Sequence, residues 1–166
     1  MEGSDILQTT AEVAIALTGF TGIVVALGGR GGPLLSGFAL VRFKILLVAS
    51  LAALASSLLP IFWHHLGTSA STTWAISSSI AAAFLVPIAI SDAHSLRIYS
   101  AEIPAFERRA APLIGVLGIA LFVSQIVNAL FMQSFGPYLA VPLWFVGFSA
   151  FSFSRLLFTL QAEGGE

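Results

Sequence analysis

Cysteine is missing altogether, which excludes disulfides, iron–sulfur clusters, thiolate zinc sites and a cysteine nucleophile. Charge is scarce too: 9% of the 166 residues are Asp, Glu, Lys or Arg, against roughly 25% in soluble domains. Net charge is −1 and the single lysine is Lys44, so no basic excess invites nucleic acid. Enzyme signatures are equally absent. There is no H-E-x-x-H and no G-x-S-x-G, and Asp5 and Asp92 lie too far apart in depth for an aspartyl dyad. The glycine-rich "GGRGGP" at 28–33 lacks the Lys-Ser/Thr of a phosphate loop and reads as a flexible turn. His64-His65 and Asp92-Ala93-His94 fall at opposite ends of apolar runs and do not form one metal site. Neither enzymatic activity nor a metal or cofactor is expected.

What the chain has is grease. Hydrophobic residues make up 57% of it, and mean hydropathy is +0.96. That composition belongs to an integral membrane protein. Crossing ~30 Å of hydrocarbon at ~1.5 Å per residue takes about 20 apolar residues in a helix. Five runs qualify, at roughly 6–27, 40–63, 73–90, 112–131 and 139–160. The acidic opening Met1-Glu2-Gly3-Ser4-Asp5 lacks the basic start of a cleaved signal peptide, so the first run reads as a retained span. Turn chemistry separates the runs: 28–33, then His65-Leu66-Gly67-Thr68-Ser69, later Gly136-Pro137. The longest connection, 92–111, reads as a loop with a short interfacial helix around 103–109. The fold expected is an all-α, five-transmembrane-helix bundle forming a single domain, 1–166.

The basic residues test this partition. Arg30, Arg42, Lys44, Arg97, Arg108, Arg109 and Arg155 all fall on one side when there are five spans. The positive-inside rule then puts the N-terminus outside, the C-terminus inside and the 92–111 loop in the cytoplasm. Trp63, Trp74 and Tyr138 fall at outer ends, as interfacial aromatics would.

Glu12 interrupts the first run, about 9 Å below its outer edge at ~1.5 Å per residue from Ile6. An ionised acid deep in a span costs ~2.5–3.5 kcal/mol, somewhat less near an interface. A lipid-facing position is therefore disfavoured. Positions 12, 16, 19 and 23 share a helical face, bringing Glu12 into line with Ala16 and Gly19. The adjacent stripe Ala14, Thr18, Gly22 and Ala26 is small throughout, as close helix contacts in lipid require. Glu12 thus belongs to a contact face, within the protomer or between protomers. Partners at its depth would be His64, His65, Ser69 to Thr73, Gln133 or Ser134. Its role is either to fix packing or to carry an ion or proton.

Gln125 and Asn128, with Ser124, make a polar strip in the fourth span, suited to interhelical hydrogen bonding or to lining an aqueous path. In "GFSAFSFSRLL" (147–157), Ser152, Arg155 and Thr159 share a helical stripe. Arg155 is placed to snorkel, to pair with Asp92, or to form an inner mouth with Arg42. Pro60 and Pro87 deprive the Ser56 and Ala83 carbonyls of their helical donors, which reads as plain kinking. No internal repeat is evident, and five spans do not divide into two inverted halves.

"ALTGFTGIVVALGGR" (16–30), "QIVNALF" (125–131), "GPYL" (136–139) and "FSRLL" (153–157) resemble a group of small uncharacterised bacterial multi-span proteins. The resemblance covers the first and last two spans. It implies a bacterial inner-membrane location and carries no activity to any residue.

Five thin helices leave little room for a wide aqueous path in one copy, so the expected working form is a homo-oligomer among membrane lipids. The leading expectation is a small channel or permease subunit, cation-conducting, with Glu12, Thr18 and Thr21, or Gln125 and Asn128, along the path. Arg42, Asp92 and Arg155 would supply the inner-mouth charges. The rivals are an accessory subunit bound to a membrane-protein partner, and a membrane enzyme on lipid or quinone. The last would need a lateral pocket containing Glu12 and His64.

Overall fold

Buried positions recur every three or four residues along most of the long segments, as a helix with one core-facing stripe requires. In the computed structural model, which describes residues 3–28, 37–99, 103 and 105–163, these segments are α1 (Ser4–Gly28), α2 (Gly37–His65), α3 (Ala70–Ile98), α4 (Ala105–Val127) and α5 (Phe135–Glu163). A π-helical turn, Asn128–Met132, extends α4. Among the described residues there is no strand, and five helices are long and apolar enough to cross a membrane. The 29–36 connection, with Arg30 and most of the glycine-rich turn, lies outside the described residues.

α2 is the axis. Its buried face is Leu46, Ala49, Ser50, Ala53, Ser57 and Pro60, mostly small residues that let neighbouring backbones approach. α5 packs along it most extensively, through Val141, Phe145, Ser149, Ser152 and Leu156. α1 covers another side with Leu7, Thr10, Ala11, Ala14 and Thr21. α3 contacts α2, α4 and the π turn. α4 is the outermost helix: Leu121 and Gln125 are its buried residues.

Three expectations about the connections need correction. Residues 92–98 and 105–111 are helical parts of α3 and α4, so those two stretches of the supposed 92–111 loop are not loop. Of the expected 103–109 helix, residues 105–109 open α4, which runs through Pro112 unbroken. Gly136-Pro137 lies inside α5; the α4–α5 turn is made by Gln133, left-handed at φ 47°, and Ser134.

Trp74 and Tyr138 are core residues rather than interfacial anchors. They are 3% and 0% exposed, with ring centroids 5.7 Å apart. The α2–α3 turn follows the sequence reading: Gly67 takes φ +83°, and the Ser69 side chain caps α3 by accepting from the Thr72 amide.

The described basic residues, Arg42, Lys44, Arg97, Arg108, Arg109 and Arg155, belong to the helix ends at one face of the bundle, the basic end. His64 and His65 close α2 at the other.

Candidate functional site

α1 turns its first polar face outward. Asp5, Gln8, Thr9 and Glu12 are all exposed, and Ala16 and Gly19 continue the same face. Glu12 accepts a hydrogen bond from Gln8 Nε2 at 3.2 Å, one helical turn earlier. None of its expected partners, at the end of α2, at the start of α3 or in the α4–α5 turn, reaches it among the described residues, because α1 buries the opposite stripe. A Cβ added at Gly19 or Gly22 would meet nothing within 4 Å, so these glycines serve no close approach inside the chain. Thr18 and Thr21 do not share Glu12's face. Thr18 is half-buried and donates to the Ala14 carbonyl at 2.9 Å. Thr21 is fully buried and donates to Leu17 at 2.6 Å. Both hydroxyls are spent on their own helix.

Gln125 and Asn128 are fully buried and lock the α4–α5 hairpin. Asn128 Nδ2 donates to Ser78 Oγ at 2.8 Å and to the Ser134 carbonyl at 3.1 Å, while its Oδ1 accepts from the Ser134 amide at 3.1 Å. Its own carbonyl accepts from the Gln133 amide at 2.7 Å, the i→i+5 closure of a π turn. Gln125 Nε2 donates to the Pro137 carbonyl at 2.9 Å. Of the two readings of this strip, the geometry supports interhelical bonding.

Arg42 and Arg155 do meet, but around an acid the sequence reading did not single out. Glu107 Oε1 accepts from Arg42 at 2.5 Å and from Arg155 at 2.8 Å. An inner mouth built from these two arginines is therefore partly neutralised, and no Asp92–Arg155 pair forms. Arg42 is 7% exposed, and this carboxylate offsets part of the cost of burying its charge. One signal pointed to Glu107: an acid in a first helical turn, where the helix dipole favours it. The sequence reading sets 103–109 apart as a short interfacial helix, separate from the span beginning at Pro112, and so does not bring Glu107 to the bundle.

α4 is thus fastened at both ends: by Gln125 and Asn128 near the π turn, and by Glu107 at the basic end. Between the fastenings it carries Gly115 and Gly118, where an added Cβ would meet nothing. With no side chains to fill the gap, a cavity of about 860 Å³ remains among α2, α3, α4 and α5. Its wall is mainly apolar, including Leu85, Phe122, Phe145 and Phe148, with Lys44 and Asp92 towards the basic end. It opens on the bundle's flank, where exposed Val86, Ile90 and Ile119 form part of its wall. Neither Glu12 nor His64 lines it, so the lateral pocket needed for the enzyme reading is not this one. Among the described residues, no three His, Asp or Glu side chains gather as a metal site.

No known protein family, curated protein or solved structure matches the chain. Function must be read from the geometry itself.

Proposed function

We propose that the protein is a subunit of a small homo-oligomeric, cation-conducting channel or permease, with α1 facing the symmetry axis. The observation that carries this reading is the exposure of Glu12 on the outer face of a membrane-spanning helix. Left against lipid, the charge would cost ~2.5–3.5 kcal/mol at the span centre and less near its end. Cover by a second copy, or contact with water enclosed by several copies, removes that cost. A ring of such carboxylates attracts cations. The path then runs along Asp5, Gln8, Thr9 and Glu12, with Ala16 and Gly19 allowing close approach below. Gln125, Asn128 and Thr21 are occupied inside the chain and do not line it.

By the positive-inside rule the basic end faces the cytoplasm. The bacterial inner membrane is the location implied by the resemblance.

Liposome flux tests the proposal. Purified protein of defined oligomeric state should pass monovalent cations, and Glu12→Gln should lower the flux by about tenfold or more with assembly intact, the effect of ~1.4 kcal/mol on a rate. Unchanged flux contradicts it. So does a protein that loses order without another membrane protein, which would favour the accessory-subunit reading.

A further inference from the structure

We infer that the flank cavity is a binding site for one aminophospholipid, a phosphatidylethanolamine, drawn from the leaflet at the basic end. The inference depends on the chain crossing a membrane and not on its conducting ions.

Shape comes first. The cavity runs along α3 from Leu85 to Tyr99, about 21 Å at ~1.5 Å per residue. One leaflet of hydrocarbon is about 15 Å, half of a ~30 Å core, with the headgroup zone beyond it. The site therefore reaches from mid-bilayer to headgroup level. Its volume of about 860 Å³ lies within the ~300–1,000 Å³ of small-molecule sites. The inner wall includes Leu85, Phe122, Phe145 and Phe148, which suits acyl chains. Its flank opening lies where lipid would enter sideways.

Chemistry comes second. Asp92 and Lys44 line the same end of the cavity, yet among the described residues no ion pair joins them. Asp92 is half-buried, and although its helix carries His94 and Arg97 beyond it, neither forms an ion pair with it among the described residues. A zwitterionic head supplies what both lack: an ammonium for Asp92 and a phosphate for Lys44. A primary ammonium donates charge-assisted hydrogen bonds to the carboxylate, which a choline head cannot do. An anionic lipid would satisfy Lys44 and leave its head against Asp92. A lipophilic cation would satisfy Asp92 and meet Lys44.

The walls are held open by the fold itself. Glu107 ties α4 to Arg42 and Arg155 below the cavity, Asn128 ties it to Ser78 above, and Gly115 and Gly118 leave the middle empty.

Native mass spectrometry of the full chain, released from nanodiscs of equimolar phosphatidylethanolamine, phosphatidylcholine and phosphatidylglycerol, reads the site. One phosphatidylethanolamine per chain should be retained, about tenfold over phosphatidylglycerol. Asp92→Asn should abolish that preference. Lys44→Gln should weaken retention of all three lipids. Gly118→Leu, which breaks no contact, should fill the cavity and remove the retained lipid while melting stays at or above the wild-type temperature. Equal retention of the three lipids by the wild type overturns the inference, as does an Asp92→Asn protein with unchanged preference. Undiminished lipid on folded Gly118→Leu protein also overturns it.

Discussion

The Tyr138 hydroxyl donates to the Ser56 carbonyl at 2.6 Å, and that carbonyl is the one Pro60 strips of its helical donor. A proline in α2 and a buried tyrosine on α5 are thus two halves of one device. Proline frees an acceptor and the facing helix supplies the donor, so neither group is left unsatisfied in an apolar interior.

Tyr138→Phe should lower stability by about 1–2 kcal/mol, the cost of a buried carbonyl without a partner. Adding Pro60→Ala restores an amide donor to Ser56 and should recover part of the loss. Unfolding of the single and double variants in detergent gives the coupling. Simple additivity would show that the two positions act separately.

Glu107→Gln should destabilise more than Arg155→Gln. The first takes a carboxylate away from Arg42, nearly inaccessible at 7% exposure, and breaking a buried pair costs up to ~3–5 kcal/mol. The Arg155 side chain is 29% exposed, so solvent screens its loss and about 1 kcal/mol is expected. Melting temperatures of the two proteins under one condition decide the order.

Asn128→Leu should cost more than Gln125→Leu. Asn128 joins Ser78 and Ser134 through both ends of its amide, whereas Gln125 makes one bond and its Oε1 has no partner among the described residues. At ~0.6–1.7 kcal/mol per interhelical bond in a membrane, the difference is about 1 kcal/mol by denaturant unfolding. In liposomes, Gln125→Leu should leave cation selectivity unchanged.

Gln133→Gly should stabilise the α4–α5 turn. The residue is left-handed at φ 47°, a conformation that costs a side-chain-bearing residue roughly 1–2 kcal/mol, offset in part by glycine's greater unfolded-state entropy. Gln133→Val should shift the melting temperature the other way.

Length, hydropathy and turn chemistry made the five helices legible, because a helix long and apolar enough to cross hydrocarbon is written as one unbroken apolar run. Helix ends were not legible. At 92–98 and 105–111 hydropathy stops, while Ala, Leu, Glu and Arg remain good helix formers, so the helices continue past the greasy core. Periodicity identified Glu12's companions, Ala16 and Gly19, but two adjacent stripes of α1 are both small, and nothing local decides which one turns inward. Trp74 and Tyr138 look interfacial by position along the chain; their burial depends on Phe135 and on a carbonyl that lies 82 positions from Tyr138. Glu107 was missed for the same reason: its arginines lie 65 and 48 positions away.

The outward face of α1 is tested most directly by a nitroxide at Ala16→Cys, one turn below Glu12, in lipid bilayers. The chain has no cysteine of its own to compete for the label. Spin–spin broadening between copies, with contact to a water-soluble relaxation agent and shielding from lipid-dissolved oxygen, is the expected result. A sharp spectrum from a label fully open to lipid-dissolved oxygen would contradict it, leaving Glu12 beside acyl chains.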